Sequence, residues 1–152
     1  MSPKDWGPSI WYFFHCMVEN IKDDKFNIIG IQCFQMIRQI CRVLPCQTCS
    51  NHASQFLSTI KQNQIKSKND LKSIIYIFHN YVNKKNNKQL FHVYDLDMYK
   101  NSNLINAYNN FVKAYQTKGN MKLMADSFSR TNTLKNVKQF ITSNADSFTY
   151  YK

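Results

Sequence analysis

The sequence predicts an all-α protein built as a compact bundle of amphipathic helices. Three observations predict it. Glycine and proline occur only three times each in 152 residues, too few for the many turns of a β-sandwich or barrel. Hydrophobic residues make up 43% and aromatics 14%, enough to pack the core of one domain rather than leave a disordered chain. Apolar residues also recur at helical spacing through several closely connected segments.

The first segment, "DWGPSIWYFFHCMVENI", places Ile10, Trp11, Phe13, Phe14, Met17, Val18 and Ile21 on a helical repeat. Pro8 is expected in its first turn, where a missing N–H costs nothing. After the polar turn "KDDK", "FNIIGIQCFQMIRQICRVL" reads as a second helix with Ile29, Cys33, Ile37, Ile40 and Leu44 along one face. Pro45 ends it, because the residue before a proline is pushed out of α geometry. "CQTCSNHASQFLSTI" restarts as a third helix with Phe56, Leu57 and Ile60 as its apolar stripe. "KQNQIKSK" is a polar connector, and Asn69 or Asp70 is expected to cap a fourth helix carrying Leu71, Ile74, Ile75, Phe78 and Val82. "NNKQLFHV" reads as a loop. A fifth helix is expected from about Asp95 to Tyr115 through Leu96, Tyr99, Leu104, Tyr108, Phe111 and Tyr115. Beyond Gly119 the chain turns polar, with one short helix expected around Leu134–Ile141. In such a bundle a cofactor sits between helices.

No apolar run approaches the roughly 18–20 residues of a membrane span. The start, "MSPKDWGPSIW", lacks the apolar stretch of a secretory signal. The formal net charge of +11 makes nucleic acid or an anionic surface conceivable. Yet the lysines are dispersed among asparagines, and arginine is confined to Arg38, Arg42 and Arg130. The charge therefore reads as a solvated surface, with neither a nucleic-acid partner nor a membrane expected. It still leaves room to hold an anionic cofactor.

The chemistry lies in "LPCQTCSNH", residues 44–52. Helix N-terminal amides and the helix dipole stabilise a thiolate, and a nearby second sulfur makes a good leaving group. Three readings compete. A thioredoxin-like site needs βαβ units, and no β-rich run precedes the motif. Zinc would use Cys46, Cys49 and His52 with His79 or His92, at separations that match no common structural zinc pattern. The third is a dithiol beside an organic cofactor within the bundle.

Three separated motifs bear on that choice. "WGPSIWYFFH" (Trp6–His15) resembles the W-G-P-x-x-W-x-x-L-H opening of the Erv/ALR family of FAD-linked sulfhydryl oxidases. "PCQTCSNH" (Pro45–His52) resembles its P-C-x-x-C-x-x-H, and "HNYVNKKNNKQLF" (His79–Phe91) its H-N-x-V-N-x-x-L-x-K-x-x-F. Order and rough spacing agree over about residues 5–100, and the brevity and Lys/Asn richness look most like the compact members found in large cytoplasmic DNA viruses. The resemblance implies a four-helix bundle with a short fifth helix, holding FAD non-covalently, often as a homodimer. It implies that two substrate thiols become a disulfide while oxygen becomes hydrogen peroxide. Cys46 would be the distal sulfur that exchanges with the incoming dithiol. Cys49 would be the flavin-proximal sulfur, in charge-transfer contact and passing electrons to the isoalloxazine. The oxidised state would hold a Cys46–Cys49 disulfide.

The implied cofactor-binding residues are Gly7, Trp11, His15, Cys49, His52, His79, Asn80, Val82, Asn83 and Lys88, with no metal. Trp11 offers an aromatic wall and His15, one turn on, a polar contact. His79, Asn80 and Asn83 share a polar helix edge. Lys88 would neutralise pyrophosphate charge, and His52 would contact the flavin or tune the thiolate. Singly, most of these would read as core or surface residues; the three motifs together reverse that. The bundle is assigned to residues 1–105, with residues 106–152 as a partly helical or irregular extension of unknown function.

The chain also departs from the family pattern. Asn86 and Asn87 stand where leucine and glycine are frequent. Tyr76 and Val93 occupy the positions of a second structural disulfide, which is therefore absent. The Arg-Trp pair expected near Tyr99–Lys100 is missing, leaving Tyr94 or Tyr99 to stack at the adenine end. No cysteine precedes Cys16 or follows Cys49, so the tail carries no shuttle pair. Cys16, Cys33 and Cys41 fall in apolar helical patterns and are expected to be buried and inert. The expected substrate is then a separate thiol protein, preferably small and thioredoxin- or glutaredoxin-like. The expected setting is host cytoplasm, virus factory or virion. The competing reading is a helical binding module with structural zinc or an inactive flavin site.

Overall fold

The computed structural model describes residues 3–116 and 124–149, and these form an all-α architecture. The helices are α1 (Pro3–Glu19), α2 (Phe26–Arg42), α3 (Gln47–Ser58), α4 (Lys68–Lys85), α5 (Leu104–Tyr115) and α6 (Met124–Ser143). Helices α1 to α4 form the bundle, α5 packs along α1, and α6 packs against α2. Among the described residues no helix is long and apolar enough to cross a membrane.

The core follows the expected faces. Ile10, Phe13, Phe14, Met17 and Val18 of α1, with Ile21 just beyond it, meet Ile29, Cys33, Ile37 and Ile40 of α2 and Leu71, Ile75 and Phe78 of α4, all buried. Phe13 and Phe111 stack at 4.5 Å and join α5 to α1. Glu19 receives Lys72 at 3.1 Å and Lys68 at 3.8 Å, tying the end of α1 to the start of α4. Near the C-terminal end, Lys22 N–H donates to Ser147 O at 2.8 Å and Thr149 N–H to Asn20 O at 2.7 Å. The chain thus closes back on the end of α1.

Several boundaries differ from the sequence expectation, among them the end of α2 at Arg42 rather than Leu44. Helix α1 starts at Pro3, so Pro8 lies inside the helix rather than in its first turn. Pro3 already fills the start position that tolerates proline, and exposed Pro8 removes only one interior bond. Helix α4 is capped by Ser67, not Asn69 or Asp70: Ser67 Oγ accepts from Asp70 N at 3.2 Å, and Asp70 Oδ2 accepts from Ser67 N at 3.1 Å. This reciprocal capping box satisfies two orphan donors at once. Ser67→Ala is expected to cost about 1 kcal/mol, read as a lower urea midpoint.

The expected helix over Asp95–Tyr115 is split into a 3₁₀ segment, Val93–Tyr99, and α5. Ser102 and Asn103 divert the backbone: Ser102 Oγ donates to Tyr99 O at 2.6 Å, and Asn103 accepts from Asn106 N at 2.9 Å as the α5 cap. Helix α6 is much longer than the short helix expected at Leu134–Ile141. Its buried apolar residues, Leu134, Val137, Phe140 and Ile141, fall only in its second half, which is where a periodic signal exists. The expected change of character after Gly119 begins outside the described residues.

Candidate functional site

One end of the bundle opens into a cavity of about 430 Å³, within the range of small-molecule and cofactor sites. Helix α1 supplies Trp6, Gly7 and Trp11, α3 supplies Cys49 and His52, and α4 supplies His79, Val82 and Asn83. Lys85, Asn86 and Lys88 form a polar, cationic rim, and Met98 and Tyr99 reach in from the 3₁₀ segment.

Cys46 and Cys49 form a disulfide. Cys46 is the N-cap of α3, and its Sγ accepts from Cys49 N at 3.2 Å. Ser50 Oγ accepts from Leu44 N at 2.8 Å, which braces the short link from α2. Both sulfur residues are half-buried, but only Cys49 lines the cavity. The pair therefore has one member on the cavity wall and one outside it.

An aromatic and imidazole stack forms the wall opposite. Trp11 lies on His79 with ring centroids 4.1 Å apart and planes 6° from parallel. His79 Nδ1 is 2.9 Å from His15 Nε2, so one of these nitrogens carries the shared proton. His15 in turn stacks on Tyr99 at 4.7 Å. His15 is buried and does not face the cavity; it backs His79 from behind. Asn80 is also off the cavity wall. Its Nδ2 donates to Phe91 O at 2.8 Å and its Oδ1 accepts from Phe91 N at 2.6 Å. That clamp fixes the loop after α4, and Asn83 Nδ2 leans on the same Oδ1 at 3.4 Å.

Burial drives both histidines toward the neutral form. His15 is lowered to about 3 by burial and then by His79. His79 is lowered to about 4 by burial and then by the Lys88 charge. An unfolded histidine titrates near 6.5. Between pH 6.5 and 4 the unfolded chain therefore binds more protons, and stability falls as pH falls. Each histidine contributes up to about 1.4 kcal/mol per pH unit in that window. We expect the urea midpoint of the apoprotein to drop steadily from pH 6.5 to 4; a flat profile would contradict the buried neutral pair.

Of the sequence-predicted residues, Gly7, Trp11, Cys49, His52, His79, Val82, Asn83 and Lys88 converge on the cavity, whereas His15 and Asn80 support it from outside. Trp6, Met98 and Lys85 also line it without having been anticipated. Trp6 was visible as the first letter of the opening motif. Met98 carries no sequence signal, and Lys85 is one lysine among many. Of the two tyrosines considered for stacking, Tyr99 lines the cavity and Tyr94 is 76% exposed, stacked on His92. Asn87 has φ 55°, the left-handed geometry that favours glycine and tolerates asparagine just past a helix end. Tyr76 and Val93 offer no disulfide.

Cys16, Cys33 and Cys41 are free and buried. Burial pushes the Cys33 and Cys41 thiols up, so Cys41 stays protonated although it touches the cavity. Among the described residues no group of three or more His, Cys, Asp or Glu side chains is arranged to hold a metal ion. His79 is occupied with His15, and exposed His92 accepts from Tyr94 N through Nδ1.

Comparison with known proteins follows the same residues. The sequence model of the Erv1 / Alr family matches residues 8–102. The probable FAD-linked sulfhydryl oxidase of fowlpox virus is 33% identical over 78 residues, 51% of this chain and 74% of that protein. That of variola virus is 35% identical over 78 residues, 51% of this chain and 76% of its own length. The FAD-linked sulfhydryl oxidase of African swine fever virus is 29% identical over 85 residues, 56% of this chain and 71% of that protein. No solved structure matches.

Proposed function

Since this chain belongs to the Erv1 / Alr family, we propose that it oxidises a protein dithiol to a disulfide through Cys46–Cys49, FAD and oxygen, yielding hydrogen peroxide. It is an FAD-linked thiol oxidase, an oxidoreductase acting on sulfur groups. The observation that carries the electron path is the asymmetry of the pair: Cys49 lines the cavity and Cys46 does not.

The cavity fits FAD. Trp6 lines the cavity, and its Nε1 is buried without a hydrogen-bond partner. A Cβ built on Gly7 meets nothing within 4 Å, so the backbone leaves room there for a ligand. Trp11 and Tyr99 provide aromatic surface for flat rings, and Lys85 and Lys88 provide charge for a pyrophosphate. Gly7, Trp11, Cys49, His52, His79, Val82, Asn83 and Lys88 would hold the group directly. His15 and Asn80 would position His79 and the loop behind it. FAD, when bound, would supply the two-electron acceptor that the thiol chemistry needs and a route for the pair to oxygen.

The cysteines perform the exchange. A substrate thiolate attacks Cys46 Sγ, the Cys46–Cys49 bond breaks, and Cys49 leaves as a thiolate. The second substrate thiolate attacks the mixed disulfide and releases Cys46. One substrate disulfide is made, and two electrons pass to the cysteine pair. The start of α3 favours charge on Cys46 as it is released, because its Sγ is the N-cap that accepts from Cys49 N. His52, one turn after Cys49, contributes a polar edge on the same wall.

We assign the oxidase unit to residues 1–105: among the described residues none that lines the cavity lies beyond Tyr99. The described part of residues 106–152 then serves as support, since Phe111, Tyr115 and Val137 are buried in the common core. A separate small redox protein is the preferred substrate, because no cysteine follows Cys49 within these 152 residues. A homodimer in host cytoplasm, virus factory or virion completes the reading. The test is oxygen uptake by the FAD-loaded protein with dithiothreitol. One hydrogen peroxide per oxygen consumed supports it; no uptake refutes it.

A further inference from the structure

We propose that Arg38 and Arg42 form a docking fork for an acidic dithiol protein, delivering carboxylates of the partner beside the Cys46–Cys49 disulfide. The inference rests on the oxidase reading and names the chemistry of its substrate. Arginine occurs three times in this lysine-rich chain. Arg130 is buried in α6. The other two stand four residues apart on one side of α2, in the last turns before the link to Cys46. Arg42 is exposed and Arg38 half-exposed. Arg38 is held over the Phe34 ring at 5.9 Å, which limits the freedom lost on docking. Neither arginine has an ion-pair partner among the described residues.

The surroundings carry no competing charge of their own sequence. From Lys25 to Asn69, a stretch that contains α2, the disulfide and α3, the chain has no Asp or Glu. Asp70, the next carboxylate, is engaged in the α4 capping box. No other occurs until Asp95, which is engaged with His92 N at 3.0 Å. Asp23 and Asp24 precede the far end of α2, and Glu19 is neutralised by Lys68 and Lys72. Asp5, Asp97, Asp126 and Asp146 lie outside this stretch. The outward residues around the sulfurs, Gln47, Thr48 and Asn51, are exposed and neutral. Two guanidinium groups set in a stretch of chain without carboxylates select for carboxylates, because their paired N–H groups match carboxylate geometry. Attraction of this kind raises encounter rates and is screened by salt.

The test uses the FAD-loaded full-length protein and three reduced peptides, each with one Cys-x-x-Cys flanked by glutamates, glutamines or lysines. The acidic peptide is expected to exceed the glutamine peptide in kcat/KM by about tenfold at low salt. The lysine peptide should be slower than both, and the differences should shrink as salt rises. Arg38→Gln with Arg42→Gln should erase the preference while oxygen uptake with dithiothreitol stays at the native rate. Arg42→Gln alone, at an exposed position, gives a partial loss should the double variant fold poorly. Equal rates for the three peptides on the native protein overturn the proposal, as does a preference that survives in a folded double variant. So does binding of single-stranded DNA that depends on the two arginines, with no preference among the peptides; that result assigns the face to nucleic acid. Absence of dithiothreitol turnover would instead remove the oxidase reading itself.

Discussion

Cys49→Ser is expected to abolish dithiothreitol-driven oxygen uptake, a loss on the order of 10³-fold or more. Cys46→Ser should do the same. Each substitution removes one half of the only disulfide among the described residues, so no electrophilic sulfur remains for a substrate thiolate to attack. The two variants should still differ in one respect. Cys46→Ser leaves the cavity wall intact, because Cys46 is not part of it, and its FAD content should match the native protein. Cys33→Ala is the control. Its thiol is fully buried in α2, away from the cavity, so it should lose stability but keep turnover. Full activity in either serine variant would contradict the mechanism.

Gly7→Leu is expected to fold and to lose FAD. The Cβ direction at Gly7 is open, so the side chain meets cavity rather than protein. An added side chain there should displace cofactor at a cost of about 1–3 kcal/mol, roughly 10- to 100-fold in affinity. Gly7→Ala gives the opposite balance. Glycine inside a helix costs about 0.5–1 kcal/mol relative to alanine, so the apoprotein should become more stable while binding weakens only slightly. Fluorescence titration with FAD and urea unfolding of the apoprotein read the two effects separately. A Gly7→Leu protein that binds FAD normally would mean that the cofactor does not use this wall.

Gly30 shows why glycine position alone is not a cofactor signal. A Cβ there would lie 2.5 Å from Phe26 Cε2, so that glycine makes room for a core ring. From sequence the two glycines look alike, each inside an amphipathic helix. Only the surrounding motif marked Gly7.

Much of the fold was legible because its signals are local. The bundle faces of α1, α2 and α4 follow apolar periodicity: most residues the repeat selected are buried, Trp11, Leu44, Ile74 and Val82 only partly so, and Phe26, Phe34 and Cys41 widen the α2 face beyond it. The split between Val93–Tyr99 and α5 was not legible in that way, because Ser102 and Asn103 act through side-chain bonds to the backbone that leave the apolar repeat unbroken. The α4 cap was displaced for a related reason: Asp70 is a good cap, but Ser67 and Asp70 together satisfy more donors. At the site, motif residues and cavity coincide for Gly7, Trp11, Cys49, His52, His79, Val82, Asn83 and Lys88. His15 and Asn80 share the helix edges of these residues but point into support roles, a distinction that spacing on one helix cannot make. Met98 arrives from a separate segment, and only the tertiary fold brings it to the cavity.

The most direct test is the visible absorption spectrum of the purified protein during anaerobic addition of dithiothreitol, followed by readmission of air. The account expects a stoichiometric flavin band that bleaches with thiol and returns with oxygen in the native protein. The band should persist unbleached in Cys46→Ser, whose cavity wall is intact. A native protein that is colourless and does not take up added FAD, or a bound flavin that thiol never reduces, would contradict the assignment of Cys46–Cys49 as the entry point for electrons.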